Sequence, residues 1–231
     1  MSHNCKNVAF IPVRGGSKSI PYKNIREING KPLVYWSTRA ANDCEHIDKV
    51  YVCTEDECIK NVVNDFIKNE NLKKTSVIDR SEQSARDTSS TEEVMLEFAS
   101  KYSFENIVLL QATSPLVSST DINNALATFN KENIDSVLSV VRQKRFIWKQ
   151  KNEDICEPLN YDVYNRPLRQ EFEGFFVENG AIYITSKDKL IESKNRVSGN
   201  IAIVEMNEKT YFEIDELEDW IIVEGLMNTD E

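Results

Sequence analysis

Histidine is scarce in this sequence, with only His3 and His46 among 231 residues. No G-x-S-x-G elbow is present either, so the parts of a hydrolase with a covalent nucleophile are missing. The five cysteines, Cys5, Cys44, Cys53, Cys58 and Cys156, form no C-x-x-C pair and no zinc spacing. They read as reduced, mostly packed thiols. No run approaches the ~18 apolar residues of a membrane span, and no N-terminal apolar segment has signal-peptide form. A reducing, cytoplasmic location is the expectation. Basic charge is also in short supply: 28 Lys and Arg stand against 38 Asp and Glu, a net charge of −10. A general nucleic-acid or anionic-membrane binder would be basic, so neither partner is expected. The two common nucleotide fingerprints are absent as well. Lys18-Ser19 ends like a P-loop, but Ser17 and Pro12 stand where its glycines belong, and no G-x-G-x-x-G occurs.

What remains is a regular alternation of strands and helices. Val8 to Val13, Val50 to Cys53, Ile107 to Leu110, Ser136 to Val141, Ala181 to Ile184 and Ile201 to Glu205 read as buried strands. Helical spacing appears over Pro32 to Asn42, along Ile59, Val62, Val63, Phe66 and Ile67, from Ser90-Thr91-Glu92-Glu93 onward, and from Ser118 through Phe129. Thr54-Glu55-Asp56-Glu57 reads as a helix start, and a closing helix is expected over Leu217 to Met227. Such alternation predicts an α/β fold with a mostly parallel sheet covered on both faces, in one domain spanning 1–231. Between Arg142 and Glu178 the pattern breaks. Aromatics, charges and prolines mix there, with short strands expected at Phe146 to Lys151 and Phe172 to Val177. A connection this long is usually functional or an interaction arm.

Ligands of such sheets sit at the carboxyl ends of strands. The first strand ends in Arg14-Gly15-Gly16-Ser17-Lys18, followed by Lys23-Asn24. The glycines let backbone N–H groups approach an anion, Arg14 offers a planar fork, and Lys18 and Lys23 offer point charges. Phosphate is the anion this loop suits.

At this point the residues resemble a family. AFIPVRGGSK at 9–18 and PYKNI at 21–25 are similar to the opening signature of the CMP-sialic acid synthetases. The resemblance continues through NGKPL at 29–33, Arg80, DTSST at 87–91, LQATSPL at 110–116, RPLRQ at 166–170, ENGAIY at 178–183 and EID at 213–215. These motifs cover essentially the whole chain in family order. The resemblance implies a three-layer fold of Rossmann-like nucleotide-binding topology, with residues 142–178 as an extended dimerisation arm of a homodimer. It also implies a reaction in which the anomeric hydroxyl of a nine-carbon 2-keto acid sugar attacks the α-phosphate of CTP. CMP-sugar and pyrophosphate are the products.

By the same resemblance Arg14 and Lys23 would hold the phosphates, with Gly15, Ser17, Lys18 and Asn24 supporting the loop. Lys23, Arg14 and Asp215 would be the catalytic groups. Arg80, Ser90 and Thr91 would cradle cytidine, although Ser90 reads equally well as a plain N-cap. Gln111, Thr113 and Ser114 would lie on the sugar side, Arg169 would face the sugar carboxylate with Gln170 beside it, and Asn179 and Tyr183 would complete the pocket. Tyr183 reads equally as core. Glu213 and Asp215 would bind Mg²⁺, or Mn²⁺, since residues i and i+2 of a strand share a face. The family commonly shows Asp-Ile-Asp, so Glu213 is a departure, and it reads as acting through water. Alternatives stay open: a different acidic sugar, such as legionaminic, pseudaminic or an eight-carbon keto acid, or an inactive nucleotide-sugar-binding protein.

Overall fold

The computed structural model describes residues 5–16 and 19–230, so Ser17 and Lys18 lie outside the described residues. In chain order it forms β1 (Cys5–Pro12), β2 (Glu27–Ile28), β3 (Lys31–Pro32), α1 (Leu33–Asp43), β4 (Lys49–Thr54), α2 (Glu57–Asn69), β5 (Thr75–Asp79), α3 (Thr91–Lys101) and β6 (Phe104–Leu110). It continues through α4 (Ser119–Phe129), β7 (Ser136–Gln143), β8 (Trp148–Gln150), β9 (Cys156–Pro158), β10 (Phe175–Ser186), α5 (Lys187–Ser193), β11 (Ile201–Glu205) and α6 (Leu217–Met227). Seven strands make one sheet in the order β11-β7-β10-β6-β1-β4-β5. Only β10 runs antiparallel to its neighbours, β6 and β7. No helix among the described residues is long and apolar enough to cross a membrane.

Alternation of side chains along β1 explains why the sheet is sandwiched. Ala9 and Ile11 join the core under α1, α2 and α4, while Val8 and Phe10 join the core under α3 and α5. Both sets are apolar, so the strand is satisfied only with helices on both faces. A third cluster joins Ile20, Ile28, Leu33 and Ile214 to Trp220 and Val223 of α6. It fastens the closing helix onto the segment that follows the glycine loop.

Two expectations need correction, and two elements were not expected at all. Phe172 to Val177 and Ala181 to Ile184 are parts of a single strand, β10, interrupted by a register shift between Glu178 and Tyr183. Strand β5 and helix α5 carry too little apolar periodicity to be read in advance. Residues 213–215 are not a strand. They form an extended connection between a 3₁₀ turn (Glu208–Tyr211) and α6, with the N–H of Ile214 donating to Thr113 O at 2.8 Å.

The 142–178 segment leaves β7, makes the small β8–β9 hairpin, and returns as β10. Part of its aromatic content packs on itself. Phe146 lies 4.3 Å from Tyr161 and 5.0 Å from Phe172 between ring centroids, and the Arg166 guanidinium sits 4.3 Å above Phe146. Tyr164, Leu168, Phe175 and Phe176 stay exposed.

Phe98 is the hub of the α3 face, stacked on Phe10 (4.6 Å), Tyr102 (4.7 Å) and Phe104 (5.1 Å). Phe98→Ala should destabilise the protein by about 3–5 kcal/mol in denaturant titrations, the cost of an aromatic-sized cavity. Its neighbour in the helix, Glu97, anchors the turn that follows Arg80. It accepts from Ser81 Oγ (2.7 Å), Ser84 Oγ (2.6 Å) and Lys101 Nζ (2.6 Å). Burial alone would raise its pKa, but the hydrogen bonds from Lys101, Ser84 and Ser81 prevail and lower it to about 2. A lowered folded-state pKa means stability present above the ordinary carboxylate range and lost as pH falls. Between about pH 4.5 and 2, wild type should lose urea resistance more steeply than Glu97→Gln.

Candidate active site

Strand order reverses at β1. Its parallel neighbours are β4 on one side and β6 on the other, so the connections diverge and a crevice opens beyond their carboxyl ends. A cleft of about 470 Å³ lies there. Its walls carry Arg14 and Lys23 from the glycine-loop segment, Arg80 and Thr91 from the far side, and Gln111 and Asp215 opposite.

Lys23 is more enclosed than Arg14, its side chain 12% exposed against 35%. Its ammonium donates to Ile214 O at 2.8 Å and to Asp215 Oδ1 at 3.0 Å. Ile214 is thus held from both sides, by Lys23 at its carbonyl and by Thr113 at its N–H. Arg14 reaches across the cleft mouth to Asp87 Oδ1 at 2.7 Å. Asn24 is buried and donates from Nδ2 to Arg14 O at 3.1 Å, which fixes the backbone that carries the arginine. Ser19 Oγ donates to Glu216 Oε1 at 2.7 Å, linking the loop to the start of α6. Arg80 is half-buried. Burial lowers its pKa, its Nη2 donates to Ser84 O, and its Nε has no hydrogen-bond partner among the described residues.

The remaining expected residues fall into three groups. Gly16, Thr91, Gln111 and Thr113 line the cleft, whereas Gly15 turns its N–H to Glu55 Oε1 at 2.9 Å. Ser90 does not line it: its Oγ caps α3 by accepting from Glu93 N at 3.2 Å, and the neighbouring Ser89 faces the cleft instead. Ser114 is buried with an unpartnered hydroxyl, and Asn179 is buried with bonds to Ser139 Oγ and Thr210 Oγ1 at 2.6 and 3.0 Å. Tyr183 is buried core, its hydroxyl donating to Glu178 Oε2 at 2.9 Å, and burial followed by Glu178 pushes its pKa up. Arg169 and Gln170 are exposed on the arm. Arg169 borders a separate hollow with Arg142, Lys144 and Glu205, so a single chain does not bring it to the cleft.

Of the two expected metal ligands, Asp215 faces the cleft and is 64% exposed, while Glu213 sits behind it. Gly180, at φ +68° in the irregular part of β10, makes room for Glu213: a Cβ there would lie 2.6 Å from its Oε2. Burial, then the Asp215 charge, raises the Glu213 pKa. Two crowded carboxylates offering only oxygen donors suit a hard cation. No three His, Cys, Asp or Glu side chains cluster for a metal among the described residues, so substrate oxygens would have to complete the shell. Asp87, Ser89, Ser19 and Glu216 are cleft residues that sequence reasoning did not single out. Asp87 and Ser89 stand inside the DTSST motif, which was the available signal.

Comparison with known proteins shows the family and the fold. The profile of the cytidylyltransferase family matches residues 8–220. N-acylneuraminate cytidylyltransferase B of Danio rerio is 37% identical over 94% of this chain and 50% of its own length. The N-acylneuraminate cytidylyltransferase of Oncorhynchus mykiss is 34% identical over 94% of this chain and 49% of its own. The chain therefore spans about half the length of these curated relatives. A solved CMP:2-keto-3-deoxy-manno-octonic acid synthetase in complex with CTP superposes with a TM-score of 0.72 at 17% identity, covering 98% of this chain and 100% of that one, a likeness of fold. The chain belongs to the cytidylyltransferase family, and its sequence likeness within it runs to the N-acylneuraminate, or CMP-sialic acid, synthetases.

Proposed function

We propose that the cleft binds CTP and an acidic nine-carbon 2-keto sugar, sialic acid foremost, and joins them as CMP-sugar with release of pyrophosphate. The observation that carries this reading is the meeting of Arg14, Lys23 and Arg80 with Asp215 and Gln111 in one crevice at the β1–β6 switch. Family membership and the names of the relatives support it.

In the proposed reaction the anomeric hydroxyl oxygen bonds to the α-phosphorus, the bond to the bridging oxygen of pyrophosphate breaks, and the hydroxyl proton leaves to solvent. Such chemistry needs positioning and charge neutralisation rather than a covalent intermediate. Lys23 is held on target by Ile214 O and Asp215 before substrate arrives. Its charge matters most as negative charge builds on the departing pyrophosphate. Arg14 exchanges the Asp87 carboxylate for phosphate oxygens, an easy exchange because the pair is partly exposed, at 35% and 48%, and such pairs are weak. Gly15 and Asn24 shape the loop, and Ser17 and Lys18 belong to it. Arg80 and Thr91 face the base, with Ser90 acting through the cap of α3. Gln111 and Thr113 face the sugar, with Ser114, Asn179 and Tyr183 behind them. Asp215, with Glu213 behind it, would hold Mg²⁺ or Mn²⁺, which supplies Lewis-acid charge to the phosphate oxygens. Arg169 and Gln170 would reach a sugar carboxylate across a homodimer formed through 142–178, where exposed Tyr164, Leu168, Phe175 and Phe176 offer apolar contact.

Pyrophosphate release with a panel of nucleotides and acidic sugars tests the assignment. CTP should be preferred to UTP, ATP and GTP, and activity should require a divalent cation. A preference for UTP would sink the assignment, and full turnover in excess chelator would sink the metal. Lys23→Ala should lower kcat far more than it raises the KM for CTP, because the charge is needed most in the transition state.

The arm generates a second test. Arg169→Ala should raise the KM for the acid sugar by roughly 10- to 150-fold, the worth of a lost charge-assisted pair, and leave the KM for CTP unchanged. Co-refolding Lys23→Ala with Arg169→Ala subunits should restore activity through one intact site per heterodimer. Proven heterodimers without recovery would assign each Arg169 to its own subunit.

A further inference from the structure

The tripeptide Thr54-Glu55-Asp56, at the end of β4, reads in sequence as no more than the entrance to α2. Asp56 does cap that helix, accepting from Ile59 N at 3.0 Å. The segment also touches both halves of the cleft. Val13 N donates to Cys53 O at 2.9 Å, and two residues later Gly15 N donates to Glu55 Oε1 at 2.9 Å. Gly15 is seated so closely on Asp56 that a Cβ would collide with the Asp56 carboxylate. On the other side, Arg80 N donates to Thr54 O at 3.3 Å, which ties the base-facing segment to the same platform.

Glu55 is the unusual member. Among the described residues its Oε2 is buried without a hydrogen-bond partner, as is Arg80 Nε. The Glu55 charge also favours the half-buried Arg80 guanidinium. A carboxylate half-paired in the protein interior is costly to keep. It stands behind the cleft rather than in it, since it is not among the lining residues.

We infer that Glu55 is a positioning residue that fixes the Gly15 peptide for phosphate binding and lends its charge to Arg80, whose N–H is held by the adjoining Thr54. Holding Gly15 N–H from the rear sets the turn so that the Gly16 backbone and the Arg14 side chain face the cleft. The Glu55 charge favours the Arg80 guanidinium, and among the described residues no direct ion pair joins the two to compete with ligand. The inference rests on the nucleotide-site reading above.

The experiment compares wild type, Glu55→Ala and Glu55→Gln. Inorganic tripolyphosphate and CTP binding are measured by calorimetry, and KM values for CTP and acid sugar by pyrophosphate release. Glu55→Ala should weaken tripolyphosphate binding about 10-fold and raise the KM for CTP by a similar factor, with the sugar KM unchanged. Glu55→Gln keeps a carbonyl oxygen for Gly15 N–H and should recover tripolyphosphate affinity to within about 3-fold of wild type. It should recover CTP affinity less well, because the charge behind Arg80 is gone. Unchanged or tighter tripolyphosphate binding by Glu55→Ala overturns the inference. So does an equal rise in both KM values with a lower Tm, which is the mark of a merely structural residue. If wild type binds neither CTP nor tripolyphosphate, the nucleotide-site reading falls as well; if wild type binds both and the variants match it, only the role of Glu55 falls.

Discussion

Parallel pairing of β1 on both of its edges is the constraint from which the rest follows. A strand in that position sends its own connection to one side while the later part of the sheet grows on the other. Backbone from neither direction covers its carboxyl end. The Gly15-Gly16 turn, the Thr54-Glu55-Asp56 platform and the Gln111–Thr113 turn are all strand ends that meet at this uncovered point. Rigid strands bring them there, so the cleft needs no long flexible loop to assemble it.

Closure of the cleft floor depends on Ile214. Its fully buried side chain sits in the small core with Trp220 and Val223, its N–H is taken by Thr113, and its carbonyl by Lys23. A residue without chemistry of its own thereby fixes the relative placement of the lysine and the Asp215 carboxylate. Close contact between opposite charges is tolerable here because Asp215 stays largely in solvent, so little desolvation is incurred.

Legibility in the sequence followed periodicity. Strands β1, β6 and β7 are apolar on both faces and announce themselves, and α6 has the bounds that its sequence suggests. Strand β5 stayed hidden because Thr75-Ser76-Val77-Ile78-Asp79 is a short edge strand with polar ends. The two halves of β10 read as separate strands because Glu178-Asn179-Gly180 interrupts the alternation, and Gly180 there takes a left-handed conformation. Within the site, residues beside glycine turns were visible because turn chemistry is local. Glu55 was not, since a carboxylate before a helix looks the same whether it caps, steers a distant peptide or does neither. Ser89 and Ser90 show the same limit: one residue of register decides which hydroxyl caps the helix and which faces the cleft.

Strand β10 lies between β6 and β7 although it follows both in the chain, and most of the arm is synthesised before it. The sheet cannot be completed in the order in which it is made. Until Phe175–Ser186 arrives, β6 presents an unpaired edge whose residues are apolar on both faces, and β7 waits as a detached ribbon. Such an edge invites pairing with other chains, and non-local insertion of a central strand is slow. The same topology that opens a binding crevice beside β1 therefore makes maturation of the fold a race between threading one late strand and sticking to a neighbour.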